Sequence, residues 1–97
     1  MRNQGLSGRV SVSPELLVQR LPNGEAVFLH LGSEQYFGLD PVGARMWGLL
    51  EEGRTFEDVL ESLLAEYDVD RDRLRGDLEE LVRQLAACGF IEFDDHD

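Results

Sequence analysis

Residues 26–50, AVFLHLGSEQYFGLDPVGARMWGLL, contain the change of hydrophobic period on which the fold turns. Ala26 to Leu31 and Gln35 to Leu39 are short runs rich in branched and aromatic side chains, parted by Gly32-Ser33-Glu34. They read as two antiparallel strands, although Ser-Glu is poor chemistry for a tight primed turn. At Asp40-Pro41 the pattern changes to a helical one. Aspartate is a good N-cap, and proline at the first helical position loses only an N–H that would have no partner there. Val42, Met46, Trp47 and Leu50 then share one helical face, and Gly53 stops the helix.

Working toward the N-terminus, Leu16 to Leu21 (LLVQRL) precedes Pro22-Asn23-Gly24. Proline presets φ for the first turn position, and Asn and Gly tolerate the positive φ that follows. The predicted connection is a type I turn closed by a bulge at Gly24. Val10 to Val12 carry a weaker strand signal. If they pair with the Gln35 strand they make a fourth strand, and otherwise that strand lies at the sheet edge.

Toward the C-terminus two more helices follow. Thr55 opens the second, with Asp58 three residues on, and Phe56, Val59, Leu60, Leu63, Leu64 and Tyr67 form its stripe. Asp70 caps the third, where Val69 and Leu74 are spaced as a hydrophobic staple. Leu74, Leu78, Leu81, Val82, Leu85 and Cys88 carry its stripe, and Gly89 is the expected stop. Phe90 to Phe93 return as a short extended segment. The class is therefore α+β, a three-stranded antiparallel sheet followed by three segregated helices. No linker or repeat interrupts residues 1–97, which read as a single domain with frayed ends at 1–9 and 94–97.

Composition removes several functions. The chain has 9 basic and 20 acidic residues, a net charge of −11 and a pI near 4.4. A Debye length of about 8 Å does not hide such a charge at contact, which argues against nucleic acid or an anionic membrane surface as partner. Most of the excess lies in residues 54–97, with 5 Arg against 14 Asp and Glu. One cysteine excludes an internal disulfide and a multi-thiolate zinc site. With no apolar run of membrane-spanning length and no signal-peptide core, the expected compartment is the cytoplasm.

Catalytic machinery is missing from the sequence. His30 lies inside a strand and His96 in an acidic tail, so neither is placed as a base beside a nucleophile. Cys88 ends an apolar stripe and reads as a small hydrophobe. The Asp68, Asp70 and Asp72 cluster lacks the glycine and the closing glutamate of a calcium loop. No metal, no cofactor and no catalytic residue is assigned. What remains is binding: an edge strand at Gln35 to Leu39 would expose backbone N–H and C=O groups as a template for strand addition. Gly38 would let another backbone approach, and Tyr36 and Phe37 face opposite sides. Arg71, Arg75 and Arg83 each have helix-spaced acids nearby and read first as solvated ion pairs.

Residues 30–92 as a whole resemble the PqqD-like family. The features are the aromatic strand ending at Leu39, the Asp40-Pro41-Val42-Gly43-Ala44 helix start, Trp47 and the Glu52-Gly53-Arg54-Thr55 turn. The Tyr67-Asp68-Val69-Asp70 link and a leucine-rich helix ending in Cys88-Gly89-Phe90 complete the order. This family includes the pyrroloquinoline-quinone biosynthesis protein D and the stand-alone leader-recognition proteins of lasso-peptide clusters. The resemblance implies a winged-helix-turn-helix-like recognition element for ribosomally made precursor peptides. Its leader peptide would add as a strand against Gln35, Tyr36, Phe37, Gly38 and Leu39. The opposite wall would be the third helix, through Arg75, Leu78, Glu79 and Val82.

The QYFGLDPVGARMW stretch is more similar to the lasso-peptide members. That implies delivery of the precursor to a separate, transglutaminase-like cysteine peptidase, with no catalysis by this chain. The alternatives are a peptide chaperone of the quinone pathway, whose client is a radical enzyme, or an acidic winged-helix or dimerisation adaptor. A DNA-reading winged helix fits poorly, since residues 70–88 contain 4 Arg against 5 Asp and Glu.

Overall fold

The computed structural model describes residues 8–94. Its elements run β1 (Arg9–Val12), β2 (Leu16–Arg20), β3 (Ala26–His30), β4 (Gln35–Leu39), α1 (Pro41–Leu50), α2 (Phe56–Glu66), α3 (Arg71–Ala87) and β5 (Ile91–Asp94). The antiparallel sheet β2-β3-β4 and the three helices are those that the sequence predicts. The first hairpin closes as expected: Gly24 has φ 94°, its N–H reaches the Leu21 carbonyl at 3.1 Å, and the Leu21 N–H reaches Glu25 at 2.9 Å.

The second hairpin solves its poor turn chemistry with a longer loop. Leu31 to Glu34 form a four-residue turn in which the Glu34 N–H donates to the His30 carbonyl at 2.7 Å. The His30 ring helps, because its Nδ1 accepts from the Ser33 N–H at 3.2 Å. Glu34 takes φ 60°, a left-handed conformation that a non-glycine residue adopts at a cost of about 1 kcal/mol. His30 also stacks on Phe90, with ring centroids 6.0 Å apart. It is a turn-holding residue.

One expectation needs correction. Val10 to Val12 do not extend the three-stranded sheet. β1 pairs instead with β5 in a separate two-stranded sheet, from Arg9↔Asp94 to Val12↔Ile91. The cause is the end of α3. Gly89 at φ 80° donates to Ala86 while the Phe90 N–H reaches back to Leu85, a paired helix stop that reverses the chain and buries Phe90. The Phe90 carbonyl then accepts from Ser13, seating the return strand against β1. β1 begins at Arg9 and β5 ends at Asp94, and Arg9 Nε also donates to the Gly53 carbonyl at 2.8 Å. Residues 1–7, 95–97 and with them His96 lie outside the described residues.

All three predicted caps form. Asp40 accepts from the Gly43 N–H at 2.7 Å, Thr55 from Asp58 at 3.2 Å and Asp70 from Arg73 at 3.0 Å. Each such cap contributes about 1 kcal/mol. The core lies between the inner face of the sheet and the helices, around Phe28, Trp47, Phe56, Leu78 and Phe90. Phe28 meets Trp47 and Phe90 edge to face, at 4.8 and 5.8 Å between centroids. Arg45 of α1 binds Glu66 of α2 (Nε–Oε1 2.9 Å), and this hydrogen bond holds the Glu66 carboxyl below its usual range.

Candidate functional site

β4 is an edge strand, paired to β3 on one side and to nothing described on the other. Which of its backbone groups face outward follows from parity. In β3 the odd residues turn toward β2, because the Leu31 N–H donates to Glu15 and the Glu25 carbonyl accepts from Leu21. The even residues Ala26, Phe28 and His30 therefore bond to β4, where they stand opposite Leu39, Phe37 and Gln35. Tyr36 and Gly38 are left with N–H and C=O groups directed away from the sheet. A Cβ at Gly38 would meet nothing within 4 Å, so space is open beside the strand.

A groove of about 290 Å³ runs between this edge, the start of α1 and one flank of α3. Phe37, Leu39, Met46 and Leu81 supply an apolar floor, and Asp40, Asp77, Glu80 and Gln84 stand around it. Asp40 is already engaged as a helix cap. Among the described residues no cation pairs with Asp77 or Glu80, and Glu80 only accepts from Gln84 at 3.1 Å. The groove is thus apolar at its base and acidic at its mouth.

The strand residues singled out in the sequence divide between two surfaces. Phe37, Gly38 and Leu39 line the groove, Gln35 sits at the turn end, and Tyr36 projects from the opposite sheet face, 74% exposed. The helix residues do not line the groove. Leu78 and Val82 are buried in the core. Arg75 turns toward α2, donating to Glu57 at 2.6 Å and lying 5.6 Å above the Phe56 ring. Glu79 pairs with Arg83 at 3.9 Å. The α3 wall is instead Asp77, Glu80, Leu81 and Gln84.

The physical reason is helix rotation. At about 100° per residue, positions 75 and 79 flank the apolar stripe on one side and positions 77, 80 and 84 on the other. The stripe itself does not say which flank meets β4. A partial signal was available. Arg71 and Arg75 complement the acids Glu57 and Glu61 of α2, and these contacts form, with Arg71 reaching Glu61 at 2.7 Å. Among the described residues no group of three or more His, Cys, Asp or Glu is placed to hold a metal, and no helix is long and apolar enough to cross a membrane.

Two solved structures superpose on this arrangement. One is titled as TbiB1 in complex with the TbiA(beta) leader peptide. It is 40% identical, with a TM-score of 0.78 over 84% of this chain and 94% of that one. The other, lasso peptide synthetase B1 complexed with the leader peptide, is 28% identical, with a TM-score of 0.78 over 87% of this chain and 98% of that one. A sequence search of curated proteins finds no match. The family model for coenzyme PQQ synthesis protein D matches residues 25–91, from the start of β3 into β5. With sequence match and backbone agreeing over the same strands and helices, the chain belongs to the PqqD family.

Proposed function

We propose that this protein is a non-catalytic recognition element for the leader of a ribosomally made precursor peptide of the lasso class. The leader adds as a strand to the outward N–H and C=O groups of Tyr36 and Gly38, and its inward side chains fill the groove floored by Phe37, Leu39 and Leu81. The acidic mouth at Asp77 and Glu80 favours cationic side chains on the leader. The protein then delivers the bound precursor to a separate cysteine leader peptidase. The observation that carries this reading is the open β4 edge beside an apolar groove, in a chain 40% identical to a protein solved with its leader. The neighbour described as lasso peptide synthetase B1 favours the lasso class over the quinone pathway for which the family is named.

Isothermal titration with a synthetic peptide of the cognate leader tests it. Micromolar or tighter affinity is expected, about −8 kcal/mol or better. The precursor should keep its full mass when incubated with this chain alone. Absence of heat and of competition at ~100 μM protein would overturn leader binding.

A further inference from the structure

His30 reaches well beyond the turn it holds. Its Nδ1 accepts from the Ser33 N–H, with the Ser33 hydroxyl at the same 3.2 Å. A neutral imidazole has one bare nitrogen, so the ring proton sits on Nε2. That nitrogen faces the link between β1 and β2, 3.5 Å from the Ser13 hydroxyl and 3.8 Å from a Glu15 carboxylate oxygen. Among the described residues Glu15 is the charged group against the ring. β2 sets Leu16 beside it, β4 Gln35 and the reversal after α3 Phe90, none of them charged. The corner is closely packed. A Cβ at Gly32 would collide with the Glu15 carboxylate and stand 3.1 Å from His30 Cε1.

Two paths join this ring to the leader groove. One is backbone: the turn that His30 closes ends at Gln35, the first residue of β4, and Glu34 just before it is held at φ 60°. The other is aromatic. Phe90, on which His30 stacks, also meets Phe37 edge to face at 6.1 Å, and Phe37 lies on the groove floor. We infer that His30 is a positioning residue for the leader-binding edge, its neutral Nδ1 being the acceptor that sets β4 for strand addition; this rests on the leader-binding reading above. Protonation turns Nδ1 from acceptor to donor. Two N–H groups would then oppose each other across 3.2 Å, and the turn must open to part them. Glu15 is placed to hold the resulting imidazolium. Leader binding, which needs the closed turn, therefore weakens as the pH falls and the ring gains its proton.

The test measures affinity for a fluorescein-labelled synthetic leader, by anisotropy, in the full chain and its variants. His30→Phe keeps the stack on Phe90 and removes both nitrogens, and affinity should fall about fivefold, the worth of one hydrogen bond. His30→Asn returns an acceptor to the Nδ1 position and should recover affinity to within about twofold of wild type. Between about pH 8 and pH 5, where histidine titrates, wild-type affinity should fall relative to that of His30→Asn. Taking the ratio removes Asp77, Glu80 and the peptide's own groups, which both proteins share. One measurement needs no variant: by reciprocity, leader binding should lower the pH at which the His30 ring titrates, followed by NMR of the imidazole in the wild-type chain. A titration that leader leaves unmoved or raises would overturn the inference even if a variant failed to fold. Equal affinities of wild type and a folded His30→Phe, or parallel pH profiles of wild type and His30→Asn, would overturn it and leave leader binding standing. No binding of leader by the wild-type chain would overturn the leader reading itself, and this inference with it.

Discussion

Toward α2, helix α3 presents Arg71 and Arg75 to Glu57 and Glu61; toward β4 it presents Asp77, Glu80 and Gln84 to an open groove. The first flank is closed in both senses, its apolar stripe packed and its cations matched across the helix pair. Exposed pairs of this kind are individually weak, about 0.2–1 kcal/mol, but they leave the flank with nothing to offer a ligand. The second flank keeps like charges beside an apolar floor with no described counter-ion. The same helix thus divides its labour by rotation: one side completes the fold and the other borders an open groove.

The largest way to break this comparison is at the stripe between the flanks. Leu78→Ala should cost 2–5 kcal/mol of stability, read by chemical denaturation with the fluorescence of the single tryptophan, Trp47. Unchanged stability with lost leader binding would mean that Leu78 faces the groove. Next is the strand wall. Gly38→Pro removes an outward N–H and leaves the β3 ladder intact, so leader affinity should fall at least tenfold, about 1.4 kcal/mol, with native helicity. Native helicity with unchanged affinity would place the leader elsewhere.

On the closed flank, Arg75→Met removes the Glu57 ion pair and the cation above Phe56. It should lower stability by about 1 kcal/mol and leave leader affinity untouched. A binding defect in that variant would return Arg75 to the recognition surface. The smallest effect sharpens the open flank. The double variant Asp77→Asn, Glu80→Gln should weaken leader binding by about 0.5–1 kcal/mol at low salt and flatten its salt dependence, since both carboxylates are exposed and screened. Tighter binding would show that the leader is acidic where it crosses the mouth.

How far the sequence could be read depended on the reach of each signal. The Pro22-Asn23-Gly24 turn, the caps at Asp40, Thr55 and Asp70 and the stop at Gly89 were legible because their partners lie within a few residues. The β4 edge was only half legible, because it depended on where Val10 to Val12 would pair. The β1–β5 pair was not, since it joins four-residue strands from opposite ends of the chain. Nor was the four-residue turn at Glu34, where His30 supplies an acceptor that no turn signature contains.

By itself, then, the sequence determined the elements, their class and the apolar stripe of α3. Periodicity and capping are local, and they survive being read one segment at a time. Tertiary structure alone decided that Tyr36 and Gly38 turn their backbone groups outward, because that parity follows from the register with β3. It also decided that the groove is walled by Asp77, Glu80, Leu81 and Gln84 and not by Arg75 and Glu79. An apolar stripe orients a helix toward the core but is nearly symmetric about its own centre. Only the elements packed on either side, α2 with its acids and β4 with its open edge, break that symmetry.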